Sequence, residues 1–120
     1  MFAPLPFFCS LKSLFSVSFA DKLRHCVREV DLTGRLGGEE FGVLLPNTNA
    51  DEASDVMNRL RAELAAAPIA NTEQHAIYLT ISVGLAELAP SIVSVEAFLS
   101  KADLALYAAK RNGRDRLCIG

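Results

Sequence analysis

The chain has 120 residues and a formal net charge of −2, and 51% of its residues are hydrophobic while 22% are charged. This length and composition predict a single globular domain with a sizeable core and exclude a disordered chain. The slightly acidic balance argues against a nucleic-acid partner, which would normally add a basic surface.

The first twenty residues differ from the rest, because they are strongly apolar and carry a single charge, Lys12. Pro4, Pro6 and Lys12 interrupt this segment, so it makes a poor membrane span, and it lacks the basic start of a signal peptide. Proline also has no backbone N–H to donate within an interior strand. We therefore predict that residues 1–12 are poorly ordered or pack as an irregular apolar plug, and that a wrong start site or a frameshift explains the join.

The middle of the chain predicts a helix, a hairpin and a second helix. Apolar residues at helical spacing predict an amphipathic helix over residues 14–29. Two short apolar runs, 32–36 and 41–45, flank a Gly-Gly turn and predict a β-hairpin. Asn49 or Thr48 can then cap a second helix. The apolar stripe of that helix contains Ala53, Val56, Met57, Leu60 and Leu64.

The last part of the chain predicts a strand, a helix and a strand. Apolar residues alternate over 77–85, which is the period of a strand. A third helix is predicted over 94–111, and Gly113 stands where a left-handed residue would end it. The apolar positions of this helix include Phe98, Leu99, Ala102, Leu106 and Tyr107. With a last strand over 117–119, the order predicts an α/β (α+β layered) domain in which helices cover a sheet.

The most informative stretch is Gly37-Gly38-Glu39-Glu40-Phe41, at the tip of the predicted hairpin. Two glycines let the backbone turn tightly and let a bulky anion approach closely. Two neighbouring carboxylates beside them can hold a hard divalent cation, and such a cation beside a nucleotide phosphate supports phosphoryl transfer. The alternative interpretation is an ordinary hairpin turn with two solvated acids.

Together with the closing helix, this stretch resembles the GGDEF family of diguanylate cyclases. The segment 101–114 is similar to the family pattern A-D-x-A-L-Y-x-A-K-x-x-G-R, and the strand at 80–84 lies between the two motifs. The resemblance covers residues 14–118 and implies a nucleotidyl-cyclase, ferredoxin-like palm with a mainly antiparallel central sheet, incomplete at the N-terminus. We accordingly divide the chain into a divergent apolar segment, 1–13, and a partial GGDEF domain, 14–120.

The resemblance implies that the domain joins two GTP molecules into cyclic di-GMP and two pyrophosphates, and that a homodimer forms the complete site. It also implies roles for the two signature acids. Glu39 matches the residue that binds Mg²⁺ (or Mn²⁺) and helps to activate the ribose 3′-hydroxyl, and Glu40 matches the neighbouring acid needed for activity. The residues implied in substrate binding are Gly37, Gly38, Lys110 and Arg114. The two cations among them would hold the terminal phosphates.

A second site is implied by Arg28-Glu29-Val30-Asp31, an R-x-x-D at the family's spacing before the signature. In the family this spacing marks the inhibitory site, where cyclic di-GMP binds. Arg28 can donate two hydrogen bonds to a guanine edge or a phosphate, and Asp31 can accept from guanine N–H groups. Arg59, on the second helix, matches a second arginine of that site. Without this context, an Arg and an Asp at such spacing are common on charged helix ends.

Two family motifs are not found: D-x-D-x-F-K, which supplies another metal-binding Asp on the first strand, and N-D-x-x-G-H-x-x-G-D, which reads the guanine base. Counted back from Gly37 without gaps, the guanine-reading positions fall near Pro4 and Ser13. Alternatively, the apolar segment could substitute for the missing strand.

Three hypotheses follow: a diguanylate cyclase with impaired activity, an inactive cyclic di-GMP-binding module, or a fragment without function. Three cysteines without metal-ligand spacing indicate a cytoplasmic location, with membrane attachment only through other modules.

Overall fold

A computed structural model describes residues 5–10, 16–37 and 40–120. The helices in these ranges are α1 (Ser16–Cys26), α2 (Ala50–Ala66) and α3 (Val95–Arg111). The strands are β1 (Leu5–Ser10), β2 (Leu32–Gly37), β3 (Glu40–Leu45), β4 (Ala70–Asn71), β5 (Ala76–Ile77), β6 (Ser82–Leu85) and β7 (Leu117–Ile119). Within these ranges, each helix is too short or too polar to cross a membrane.

The strands form a central sheet in the order β2-β3-β1-β6-β7, and β4 and β5 form a separate small pair. The pairs β2–β3, β3–β1 and β1–β6 are antiparallel, whereas β6 and β7 are parallel. The expectation of a mainly antiparallel central sheet covered by helices is therefore confirmed.

The N-terminal apolar segment forms the middle strand of this sheet. β1 pairs with β3 from Leu5 to Ser10 and with β6 from Phe7 to Ser10. The prediction of an irregular plug is therefore wrong for residues 5–10, while 1–4 and 11–12 lie outside the described residues. Pro6 is tolerated because it has a partner on β3 only and precedes the section paired on both sides.

The helices cover the sheet on two sides. On one side, α1 and α2 pack on alternate residues of β3 and β6 and form the larger core. Its largest fully buried side chains are Phe19, Leu23, Leu45, Met57, Leu60, Leu64, Ile81, Leu85, Val43 and Val83. On the other side, Phe98, Ala102 and Leu106 of α3 form a smaller core with Ala86. The sheet is thus sandwiched between two helical layers.

α3 lies directly on β6 at Gly84. A Cβ at this position would collide with the Ala102 carbonyl oxygen and the Leu106 backbone nitrogen. The helix and the strand can therefore approach closely only because residue 84 is glycine. β7, which follows α3, returns parallel to β6 with Leu117 opposite Val83. α3 consequently runs antiparallel to β6, and its C-terminus lies at the Ser82 end of the strand.

The predicted second and third helices and the hairpin are confirmed almost to the residue. Asn49 is the N-cap of α2, and its side chain and Glu52 form a capping box. The first helix ends earlier than predicted, because Asp31 accepts a hydrogen bond from the backbone N–H of Arg28 and turns the chain after Cys26. Two apolar positions assigned to α3 are substantially exposed, namely Leu99 and Tyr107.

The strand predicted over 77–85 is split in two. Ile77 belongs to the small β4–β5 pair, in which its carbonyl accepts a hydrogen bond from Ile69. The central sheet gains only Ser82–Leu85. Alternation alone could not reveal this, because both sections have the same apolar period.

Candidate functional site

One end of the central sheet carries the signature hairpin. The register aligns Gly37 with Glu40, Glu40 with Ser10, and Ser10 with Ser82 across four neighbouring strands. The backbone N–H of Val83 donates to the carbonyl of Arg116 (3.0 Å), which brings the chain after α3 to the same end. Elements from four distant parts of the sequence therefore meet here.

Glu40 faces the α3 side of the sheet. Phe41, Val43 and Leu45 point into the core beneath α1 and α2, whereas Leu44 packs against the smaller core on the α3 side. Because side chains alternate along a strand, Glu40 shares the side of Leu44. By the same rule Ser82, between residues of the opposite side, also faces α3. Sequence analysis did not select Ser82, although the alternation in its strand was a usable signal.

Gly38 and Glu39, the two residues between β2 and β3, lie outside the described residues. The role predicted for Glu39 in catalysis and metal binding, and that of Gly38 in nucleotide binding, stay predictions. The register Gly37↔Glu40 follows an irregularity between Arg35 and Gly37. The antiparallel pairing of the two predicted strands is confirmed by this register, and the tight turn predicted from the paired glycines stays a prediction.

The C-terminus of α3 brings Lys110 and Arg114 together. The N–H of Gly113 donates to the carbonyl of Lys110 (3.4 Å), and the N–H of Arg114 donates to that of Ala109 (3.0 Å). This pair of bonds is a Schellman motif, and Gly113 has the expected left-handed conformation, with φ of 118°. The motif folds the chain back, so that Arg114 begins the turn directly beside the last residues of the helix.

Lys110 lies at the same end of the sheet as Glu40. Leu106 sits over Gly84, and Lys110 follows it by about 6 Å along the helix axis, at 1.5 Å per residue. Ser82 precedes Gly84 by a similar length of strand, about 7 Å. Glu40 is two strands away from Ser82, a separation of about 10 Å. The half-buried Lys110 therefore occupies the same face and the same end of the sheet as Glu40.

At the predicted second site, Arg28 and Asp31 form an ion pair with each other beside α2. The carboxylate of Asp31, whose side chain is 2% exposed, accepts hydrogen bonds from Arg28 Nη2 (2.9 Å) and Nε (3.3 Å). Arg28 Nη2 also lies 2.8 Å from the Pro46 carbonyl oxygen and from Thr48 Oγ1. The bond to Asp31 raises the pKa of Arg28 further, so the guanidinium stays charged. Thr48 was missed as part of this site.

A cavity of about 200 Å³ lies beside this ion pair. It is lined by Cys26, Arg28, Asp31, Leu45, Thr48, Glu52, Val56 and Arg59. Arg59 Nη2 donates to the Cys26 carbonyl oxygen (3.1 Å), which holds this side chain at the cavity wall. The three residues predicted for a regulatory site therefore share one cavity. Within the described residues, Arg28 Nη1 has no hydrogen-bond partner and leaves two N–H groups for a ligand.

A divalent metal would need oxygen ligands at the hairpin end. Among residues 16–37 and 40–120, no three His, Cys, Asp or Glu side chains cluster closely enough to hold a metal ion. The strand beside Glu40, Leu5–Ser10, contains no carboxylate in its sequence. The described residues do not by themselves fit a divalent metal, and Glu39 is the remaining candidate ligand.

Comparisons with known proteins agree with this geometry. A family model described as diguanylate cyclase, GGDEF domain, matches residues 15–116. The chain therefore belongs to the GGDEF family of diguanylate cyclases, as its sequence motifs predicted. The fold is shared with solved domains of the same family.

Particular relatives include the diguanylate cyclase DgcP of Pseudomonas aeruginosa, 42% identical over 98 residues, which cover 82% of this chain and 14% of that protein. The probable diguanylate cyclase DgcC of Escherichia coli is 40% identical over 100 residues, which cover 83% of this chain and 26% of that protein. The chain thus spans less than a third of the length of these curated relatives.

Two solved structures illustrate the shared fold. The active GGEEF domain of a diguanylate cyclase from Vibrio cholerae superposes with a TM-score of 0.80 at 28% identity, covering 98% of this chain and 83% of that one. The diguanylate cyclase SiaD from P. aeruginosa, solved with its activator SiaC, gives 0.88 at 28%, covering 98% and 50%. The family model begins only at residue 15, whereas these structural matches include β1. β1 therefore aligns with the family in structure, although its sequence lies outside the part that the family model matches.

Proposed function

We propose that the hairpin end of this domain binds GTP for the synthesis of cyclic di-GMP, and that synthesis by this chain is slow. The observation that carries the proposal is the shared position of Glu40 and Lys110 on one face at one end of the sheet. A cation in this position can bind the terminal phosphates of a nucleotide, and a carboxylate on the same face can bind their divalent counterion. Membership in the diguanylate cyclase family supports the same substrate.

Each residue at this end contributes a specific interaction in the proposed complex. Lys110 offers a point charge and Arg114 a planar fork of donors to the terminal phosphates. Glu39 and Glu40 would hold Mg²⁺ or Mn²⁺, which supplies charge neutralisation when bound. Because β1 supplies no carboxylate beside Glu40, metal affinity should be low. A homodimer would bring two such sites together around two GTP molecules.

Incubation of the purified chain with GTP and Mg²⁺, followed by chromatography, tests this proposal. We expect cyclic di-GMP to form slowly, to increase with protein concentration as dimers form, and to disappear in Glu39→Gln. Arg114→Ala should weaken GTP binding by roughly tenfold, the value of one charge-assisted contact. The matched control is Arg24→Ala, which removes an exposed arginine from α1. Unchanged GTP binding in Arg114→Ala would reject the phosphate-binding role.

We infer a second function, binding of cyclic di-GMP in the cavity beside Arg28. This inference is supported by the two unused N–H groups of Arg28 Nη1 and by Arg59 at the cavity wall. Arg28 needs little reorganisation, since Asp31, Pro46 and Thr48 already fix its guanidinium. The cavity requires none of the residues at the hairpin end, so it could bind ligand even where synthesis fails.

Calorimetric titration with cyclic di-GMP tests the second function. We expect Arg28→Ala to weaken binding by at least roughly tenfold, because a charge-assisted contact is lost. Arg24→Ala, four residues earlier in the sequence, should bind as the unmodified chain does. Equal affinity of Arg28→Ala and Arg24→Ala for cyclic di-GMP would contradict the assignment of this cavity as the binding site.

A further inference from the structure

The turn that carries Arg114 has an uncommon backbone. Gly113, Arg114 and Asp115 have φ values of 118°, 63° and 45°, so three successive residues are left-handed. Residues other than glycine rarely adopt this backbone conformation, because their Cβ atom crowds the backbone. The direction of the Arg114 side chain therefore depends on whatever keeps this turn in place.

A side chain from another layer holds the turn. Arg61, on α2, donates from Nη2 to the carbonyl oxygen of Asp115 (2.6 Å) and to its Oδ1 (3.3 Å). Arg61 Nη1 donates to Asn58 Oδ1 (3.0 Å), one turn earlier on the same helix. The Arg61 side chain is only 27% exposed, so its position is well defined by packing. α2 lies on the side of the sheet opposite to α3, and the contact therefore joins the two layers.

The target of this contact argues against a simple surface ion pair. The shorter bond goes to a backbone carbonyl, and the longer one goes to an exposed carboxylate. Arg61 Nε is buried without a hydrogen-bond partner among the described residues, which is an unfavourable arrangement for a residue that only adds stability. A guanidinium at this place fixes the backbone immediately after Arg114.

We propose that Arg61 is a positioning residue for Arg114 in the binding of the GTP phosphates. The proposal rests on the proposed function, in which Arg114 contacts those phosphates. Arg61 itself does not touch the nucleotide. It keeps the turn at 113–115 in its left-handed form, so that Arg114 is held beside Lys110 at the C-terminus of α3.

A double-mutant cycle with GTP as the probe tests this. We expect Arg61→Ala to weaken GTP binding by roughly three- to tenfold, and to have no further effect once Arg114 is alanine. Arg61→Lys should recover part of the loss, because an ammonium can still donate to the Asp115 carbonyl. Arg111→Ala, which removes a neighbouring exposed charge at the end of α3, controls for the general electrostatic field.

Each outcome decides the proposal. Equal losses from Arg61→Ala in the presence and absence of Arg114 would overturn it, since Arg61 would then act independently. Unchanged binding in Arg61→Ala, with weaker binding in Arg114→Ala, would overturn the positioning role alone. If Arg114→Ala binds GTP normally, both this inference and the phosphate-binding function fail. Should Arg61→Ala not fold, the cycle is run with Arg61→Lys, for which the same independence of Arg114 would contradict the proposal.

Discussion

The cavity beside Arg28 and the hairpin end of the sheet are assembled in different ways. The cavity takes its polar groups from the turn after α1, the turn before α2 and residues 52–59 of α2, which lie within one stretch of the sequence. The hairpin end combines β1, β3, β6 and the turn after α3, which lie far apart along the chain. A change in one segment, such as the apolar sequence of β1, therefore alters the hairpin end and leaves the cavity complete.

The comparison teaches that binding and synthesis need not be lost together. The hydrogen bonds that hold Arg28 and Asp31 in place involve no residue of β1. At the hairpin end, Glu40 has a serine rather than a carboxylate opposite it. We therefore expect ligand binding to be more robust than catalysis in this chain.

The largest effect is expected from a substitution that disturbs the packing of α3 on β6, the contact that places Lys110 at the hairpin end of the sheet. Gly84→Ala places a methyl group against the backbone of Ala102 and Leu106, which cannot move without shifting the helix. We expect the free energy of unfolding to fall by about 3 kcal/mol, the upper range for overpacking. Gly34→Ala is the matched control, because a Cβ there has no atom within 4 Å. Urea denaturation measures both, and similar midpoints would contradict the close packing of α3 on β6.

A smaller effect is expected when the ion pair of the cavity is broken. Asp31→Ala leaves the Arg28 guanidinium without the buried carboxylate that accepts two of its hydrogen bonds. Because Arg28 is 54% exposed, water compensates in part, and we expect a loss of about 1–3 kcal/mol. Cyclic di-GMP binding should weaken while GTP binding is retained. Asp21→Ala, at the exposed pair with Arg24, should change neither quantity, and weaker GTP binding in Asp31→Ala would contradict the separation of the two sites.

The smallest effect concerns Cys26 on the cavity wall and appears only at alkaline pH. Burial, together with the hydrogen bond to Glu63, raises the pKa of Cys26 from 9.0 to about 11. Between these values the unfolded chain releases the thiol proton and the folded chain keeps it, so stability falls as pH rises. We expect a loss of about 1–2 kcal/mol between pH 8.5 and 11, a range consistent with a shift of this size. Cys26→Ala should remove this share of the pH dependence in urea denaturation, and an identical pH profile in both proteins would contradict the buried thiol.

Local signals in the sequence predicted much of this fold. The cap at Asn49, the stripe of α2 and the glycine at 113 each act over a few residues, and all three are confirmed. The R-x-x-D and hairpin motifs likewise led to residues that the fold places at two defined sites. The roles of these residues in binding and catalysis stay predictions.

The features that the sequence did not predict depend on contacts between residues that lie far apart along the chain. Pro6 argued against an interior strand, yet its position before the doubly paired section depends on where β6 ends, at Leu85. The contact from Arg61 to Asp115 spans 54 residues and forms only when the turn after α3 is left-handed. No periodicity or motif in the sequence carries either kind of information.

Hydrogen–deuterium exchange with each ligand tests the separation of the two sites most directly. We predict that GTP slows exchange in peptides covering the hairpin, 37–42, and the end of α3, 109–116. Cyclic di-GMP should instead slow exchange over 26–31 and 46–60. Protection by GTP at 26–31 without any at 109–116 would contradict the account.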